Sequence, residues 1–594
     1  MNKTKNTEMS VPENLELTCP LRGDAGLLGA LKKVARYTII VCAVCTSLGG
    51  VAQAQIIPDA GTILREQQKP QLEVPTRPAP AIKQDEPVRP ALKPADTPHF
   101  VLKGFRVTGN TVFAEPELIE LVREYVGKEV AFAELEQVAA RISRYYREHG
   151  YMVARAYIPA QVITMNGVVE IAVIEGRFGK VGLDNKSRVR DSVARGYLSA
   201  FPGTLVTAPA LERKMLLLND LPGVGQARAT LRPGAQPGES DLAVELAAAP
   251  FASGSIEYNN QGNTFTGANQ LVGNLNLLSP LGLGDMLNAQ FTKGFDGLGY
   301  GRLAYQIPAG SDGFKLGGAY SRTNYRLGKS FSALDSSGDA NTYTLDASYP
   351  FIRTPNFNLY GQAAYDWRDF EDRVGSVSLV SDKSTRAARL TLNGDVRDTL
   401  LGGGITVFSL GYSDGSVNIE TPATRAIDDV TAQTNGHFDK WNLNALRLQS
   451  ISERLSVYVS LSGQKAGKNL DSSEKFFLGG ANGVRAYPTG EAPGDSGYLA
   501  TAELRYSFSL GAMPGVLQPI IFIDTGGVTV SENPFIVGVP NNRHLTGAGL
   551  GLTWVRASDS QVKLTVATRV GSEQSTASDT DKHTRGWVQA IKYF

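Results

Sequence analysis

The last third of the chain alternates apolar and polar residues in one short segment after another, and it does so to its final residue, Phe594. Val562, Leu564, Val566 and Val570 interleave with Lys563, Thr565, Ala567 and Arg569. Ala502, Leu504, Tyr506, Phe508 and Leu510 interleave with Thr501, Glu503, Arg505, Ser507 and Ser509. A period of two places each set on its own face of a strand. The polar set carries full charges, so one face meets water and the other something apolar. Repeated over several hundred residues in a secreted chain, this is the signature of an outer-membrane β-barrel.

Hydropathy alone argues the other way. Beyond the N-terminus no apolar run approaches the ~20 residues of a membrane helix. A barrel escapes that test, because only alternate residues face lipid. The 63 glycines among 594 residues suit the same reading. With 59 basic against 58 acidic side chains, the net charge of +1 gives no global basic field for nucleic acid. At this length several units are expected.

Lys32, Lys33 and Arg36 precede an apolar stretch from Tyr37 to Val51 and the small-residue site Ala52-Gln53-Ala54. That layout predicts a secretory signal peptide over 1–54, cleaved before Gln55; a single-span anchor is the alternative. The long charged region ahead of it leaves room for a translation start after Met1. Cys19, Cys42 and Cys45, all the cysteines of the chain, fall in this leader, so the mature protein is expected to have neither disulfides nor Cys-ligated metals.

Residues 55–70 read as a short helix around Ala60 to Gln68. Over 71–98, prolines at 75, 78, 80, 87, 90, 94 and 98 predict a stiff, extended linker without a core. Roughly 28 residues at ~3.1 Å each reach up to ~85 Å. Residues 99–175 form a β-α-α-β-β unit: a strand at Phe105-Arg106-Val107, helices over about 115–125 and 132–149, and strands over about 154–158 and 168–174. Leu135, Val138, Ala139, Ile142 and Tyr146 make the helical stripe, and Gly150 closes that helix. A looser copy over 176–250 starts at Phe178, which points to tandem modules. From 251 to 594 about sixteen strands of ~9–11 residues are expected. They begin near 254, 269, 285, 299, 313, 341, 356, 385, 402, 439, 453, 497, 517, 545, 561 and 586. A set of soluble β-sandwiches is the alternative, but almost no boundary-like composition interrupts this stretch.

The longest loop, about Gln464 to Ser496, contains Gly483-Val484-Arg485-Ala486-Tyr487. Glycine, asparagine and proline there suit any surface loop, yet a compact element that is both apolar and cationic is unusual in one. Downstream, Phe522-Ile523-Asp524-Thr525-Gly526 sets an acid among apolar strand residues. An arginine and an acid sharing a confined lumen are expected to pair, because a lone buried charge is costly. Gly411-Tyr412-Ser413-Asp414-Gly415 matches a nucleophile elbow, but that elbow needs a strand-to-helix turn, which is not expected here. The five histidines lack ligand spacing, and no phosphate-binding loop is present. No enzyme activity, cofactor or metal is therefore expected.

This order of leader, short helix, proline linker, two β-α-α-β-β modules and barrel resembles the two-partner secretion transporters, the TpsB branch of the POTRA–barrel superfamily that includes the haemolysin secretion/activation proteins. The most specific points of likeness are Val484-Arg485-Ala486-Tyr487 and Phe522-Ile523-Asp524-Thr525-Gly526. The family tetrad usually has glycine where this chain has Ala486. The resemblance implies a mainly β fold with a 16-stranded transmembrane barrel, two periplasmic POTRA-like domains and a plug helix carrying Ile63, Leu64 and Arg65. It also implies that Arg485 reaches into the lumen to pair with Asp524.

The expected function is export of one large unfolded exoprotein of adhesin, haemolysin or haem-scavenging type, without nucleotide hydrolysis. The exoprotein would be captured by residues 99–250 as an added strand. Outer-membrane lipid and, during biogenesis, the barrel-assembly machinery are the other expected partners. A barrel-assembly factor of the same superfamily is the nearest rival; a porin predicts no soluble N-terminal half.

Overall fold

In the computed structural model, which describes residues 57–68, 72, 81–84, 99–163, 166–511, 514–556 and 559–594, the alternating segments close into one barrel of sixteen antiparallel strands. The first strand is Ala252–Asn259 and the last Thr584–Tyr593. Each strand pairs with its neighbours in sequence, and Ser255–Asn259 against Gln589–Tyr593 closes the ring. Gly254 and Phe594 exchange two backbone hydrogen bonds of 2.9 and 3.1 Å, so the terminal residue completes the seam.

The period of two decides what each face meets. On strand Val516–Thr529, Ile521 is 61% exposed and Ile523 49%, whereas Phe522 and Asp524 point inward and are buried. Leu303, Leu345, Leu390, Leu550 and Val566 continue the outward apolar belt. Bathed in water this belt would be costly; hydrocarbon satisfies it.

Two details differ from the sequence reading. Several strands exceed the expected ~9–11 residues: Ser336–Arg353 and Phe357–Val374 have 18, and Leu379–Asp398 has 20. The ladder need not stop where the lipid-facing pattern stops, and it continues here through polar ends such as Ser381-Asp382-Lys383-Ser384. Strand Ser496–Tyr506 breaks at Ser507, whose N–H donates to the Arg454 carbonyl, and resumes at Phe508–Ser509. Gly411–Gly415 lies within strand Gly404–Ile419, so no nucleophile elbow forms.

Ahead of the barrel stand two small sheets, each with a pair of helices. In the first, Gly104–Thr108 runs parallel to Val168–Ile174, and Arg155–Tyr157 pairs antiparallel with the latter. Helices Glu115–Glu120 and Phe132–Glu148 cover it through Leu118, Leu135, Val138 and Ile142. Glu175 caps this core: its carboxylate accepts from the N–H groups of Thr111 (2.6 Å) and Val112 (2.8 Å) and from the hydroxyls of Thr111 and Tyr146. Burial pushes the Glu175 carboxyl up, but these hydrogen bonds outweigh it and hold the group below the usual range.

The second sheet has Val224–Pro233 and Glu239–Ala248 antiparallel, with Arg177–Asn185 parallel on the far side. Helices Asp191–Leu198 and Ala208–Asn219 pack on it. This unit is clamped to the barrel rim. Arg353 forks onto Asp220 at 2.7 and 2.9 Å with both groups buried, and Lys214 meets Asp312 at 3.0 Å.

The proline-rich segment is not a bare extended spacer. Ala81–Gln84 forms a fourth strand on the second sheet, parallel to Arg228–Leu231, with Ile82 packed on the core. These four residues contain no proline, so each keeps its N–H for the ladder. The expected leader over 1–54, its cysteines and most of the linker lie outside the described residues.

Candidate functional site

The loop between Ala466 and Ser496 folds into the barrel. Its tip can turn because Gly483 has no side chain: a Cβ there would stand 2.0 Å from the Leu478 carbonyl oxygen. The Val484 N–H donates to that same oxygen at 2.7 Å, and the Tyr487 N–H donates to the Val484 carbonyl. Val484, Ala486 and Tyr487 are fully buried. Gly526 on the wall lets the loop lie close, since a Cβ there would be 2.6 Å from Leu478 Cδ2.

Arg485 meets its expected partner. Its Nε and Nη2 donate to the two Asp524 oxygens at 2.8 and 2.7 Å, and its backbone N–H donates to Oδ2 at 3.1 Å. Sequence reasoning missed the second acid: Arg485 Nη1 donates to Glu503 Oε1 at 2.7 Å. The guanidinium also lies 3.4 Å from the centroid of the Phe522 ring. The register puts Thr501 opposite Asp524 and Glu503 opposite Phe522, so the two acids face the lumen on adjacent strands. The signal for Glu503 was its inward place in the alternation of its own strand. One fixed arginine forked across two acids and stacked on a ring is a strong, orientation-specific lock.

Ala486 replaces the usual glycine without strain. It is not among the positive-φ residues, and its methyl group packs where Gly547 leaves space. Trp587 Nε1 donates to the Arg485 carbonyl at 2.7 Å, tying the loop tip to the last strand.

Helix Ala60–Gln67 lies inside the barrel near the loop-rich end. Asp59 caps it, accepting from the Thr62 N–H (2.8 Å) and hydroxyl (2.7 Å). The other Asp59 oxygen accepts from Lys383 Nζ (3.0 Å) and Ser472 Oγ (2.6 Å), while the Ala60 N–H donates to Asp372. Ile63 and Leu64 pack on Tyr300 and Tyr325 of the wall and on Phe265 and Phe331 of the connections between strands. Arg65 reaches inward over a polar cavity of about 320 Å³ shared with Arg368, Arg389, Lys440 and Glu474, and its Nε donates to the Lys475 carbonyl. Sequence reasoning gave this helix its apolar residues but not its ionic seat.

The chain beyond the helix also has a place in the lumen. Leu72 packs on the inward-facing Ile405, Val407 and Leu446. It borders a second cavity of about 240 Å³ lined by Arg485, Glu503, Arg505 and Lys563. Ala81–Gln84 lies on the second sheet, so among the described residues helix Ala60–Gln67 and Leu72 are in the lumen and the later segment is on that sheet.

Comparison with known proteins agrees with this architecture. The family profile described as haemolysin secretion/activation protein ShlB/FhaC/HecB matches residues 238–554, and that for the ShlB-type POTRA domain matches 100–176. The chain is 28% identical over 580 residues to the heme/hemopexin transporter protein HuxB of Haemophilus influenzae, covering 95% of this chain and 100% of the relative. It is 25% identical over 421 residues to the outer membrane transporter CdiB of Dickeya dadantii, covering 69% and 73% respectively. The solved CdiB from Escherichia coli superposes with a TM-score of 0.67 at 19% identity, covering 97% of this chain and all of that one, which shows the shared fold.

Proposed function

Since the chain belongs to the haemolysin secretion/activation family of ShlB, FhaC and HecB, whose members are outer-membrane transporters of the two-partner secretion type, we propose that its pore passes one large unfolded exoprotein and that the geometry described here is the closed, resting arrangement. The observation that carries this reading is the course of the protein's own linker. Leu72 sits in the lumen and Ala81–Gln84 adds a strand to the second periplasmic sheet, so pore and sheet edge both accept extended chain. A passenger would follow that course in reverse, from periplasm to cell surface.

Residues 99–250 are the proposed capture surface. Strand addition uses main-chain hydrogen bonds for affinity and alternate side chains for selection. It suits a passenger that has yet to fold. In the first sheet, order Gly104–Thr108, Val168–Ile174, Arg155–Tyr157, both outer edges are free of strand partners among the described residues. In the second, the linker strand must leave before that edge can be used. The plug helix then withdraws, and Arg485 with its two acids sets the position of the loop beside the passage. With no phosphate-binding loop in the chain, folding of the passenger outside is the proposed driving force.

The experiment is depletion of the full-length protein followed by surface and outer-membrane proteomics, with binding of the purified protein to the exoprotein's N-terminal region and to unrelated barrel precursors. The expected result is loss of one exoprotein from the surface, other barrels unchanged, and selective binding. Loss of many barrels together with equal binding to their precursors replaces the exporter reading by that of an assembly factor.

A further inference from the structure

Glu491 is fully buried in the descending limb of the lumen loop, six residues beyond Arg485, and plays no part in the Arg485–Asp524 lock. Its carboxylate is saturated. One oxygen accepts from Arg543 Nη1 (2.8 Å) and Thr576 Oγ1 (2.7 Å), and the other from the N–H groups of Thr576 (2.8 Å) and Ala577 (2.9 Å) and from Ser575 Oγ (3.1 Å). Five donors on one buried carboxylate are a built seat for an anion, since such a group is tolerated only when fully paired. The donors come from strand Asn542–Arg556 and from the external hairpin that joins the last two strands.

The neighbouring residues bind elsewhere. Thr489 Oγ1 donates to the Gln261 carbonyl just past the first strand, at 2.8 Å. A Cβ on Gly490 would stand 2.6 Å from Glu66 Oε1 of the plug helix. Residues 489–491 therefore touch the start of the barrel, its final hairpin and the plug at once. The ladder they bridge is the short one, five paired residues at the seam.

We infer that Glu491 is a positioning residue and the second lock of this loop: it fixes the descending limb to the final external hairpin and thereby keeps Arg485 seated between Asp524 and Glu503. The loop tip is then released only when two separate ionic seats, at 485 and at 491, are both given up. This inference rests on the proposed export function, in which the loop is positioned beside the passage, but its test follows loop position without any passenger, so it succeeds or fails independently of export.

The full-length protein carrying Val484→Cys, a buried tip position, is exposed on whole cells to a membrane-impermeant maleimide, alone and combined with Glu491→Gln or Glu491→Asp. Glutamine keeps the volume but loses the charge facing Arg543 and turns an NH2 group toward backbone N–H donors. The expected result is labelling at least about tenfold faster in Glu491→Gln, with Glu491→Asp closer to the parent and the heat-modifiable folded band retained in all. Unchanged labelling in a folded Glu491→Gln barrel overturns the inference. If Glu491→Gln does not assemble, Thr576→Val decides: it deletes one donor to the seat from an external hairpin. Labelling several-fold faster supports the second lock, and parental labelling overturns it.

Discussion

Replacing Arg485 by alanine removes two side-chain donors from the fully buried Asp524, one from Glu503, and the cation over Phe522. The backbone N–H contact to Asp524 survives truncation. Breaking one side of a buried ion pair costs about 3–5 kcal/mol. The adjoining cavity of about 240 Å³ admits water to the stranded acids, and Arg505 still serves Glu503, so the cost falls to the bottom of that range or just below it. A loss of roughly 2–3 kcal/mol raises the undocked population of the loop by about 30- to 150-fold. Lysine at 485 retains charge but cannot fork across two acids, so most of the effect persists. Single-channel recording of Arg485→Ala, Arg485→Lys and parent in planar bilayers reads open-state occupancy, with the heat-modifiable band as the folding control. Parental occupancy and secretion in a folded Arg485→Ala barrel refute the lock.

Asp59→Ala removes a helix cap worth about 1 kcal/mol and one of two acids on Lys383, so plug openings in bilayers become several-fold more frequent; an unchanged trace places the occlusion elsewhere. Ile82→Pro sets a proline ring in the linker strand and weakens its pairing, so amide exchange along 228–231 quickens and exoprotein binding tightens; slower exchange or weaker binding contradicts a masking role. Because the Glu175 carboxyl is held low in the folded module, its stabilisation is present above the unfolded value of about 4.3 and is lost as pH falls through the folded value. Acid unfolding monitored within 99–175 therefore becomes less steep in pH in Glu175→Gln, and an unaltered acid transition contradicts this.

The barrel was legible because period two survives in the sequence whatever the strands do later. The strand near 299 starts at Gly299, and those expected near 517 and 545 start at Val516 and Asn542. Arg485 and Asp524 were legible through their motifs, but Glu503 was not. Its role depends on the register that sets Thr501 against Asp524, and register lives in the pairing of strands rather than in either one. Ala81–Gln84 was hidden by surrounding prolines, although the six residues without one between Pro80 and Pro87 were a usable sign. Glu491 lies among glycines and prolines, and its amide donors come from 85 and 86 residues away, so nothing local announces it. The space that receives Ala486 is likewise made by a remote residue, Gly547.

An unfolded passenger is expected to traverse the lumen that now holds helix Ala60–Gln67, Leu72 and the loop. Strand Gly436–Ser450 offers a direct measurement, because Asn444 lines the lumen while its neighbour Leu443 is exposed on the outer face. The only native cysteines are Cys19, Cys42 and Cys45 in the expected leader. A passenger stalled in transit by a stably folded C-terminal domain, and bearing single cysteines along its length, is oxidised against Asn444→Cys or Leu443→Cys in cells. Disulfides are expected to position 444 and none to position 443. Cross-links to 443 alone, or efficient secretion with none to 444, would contradict passage through the pore.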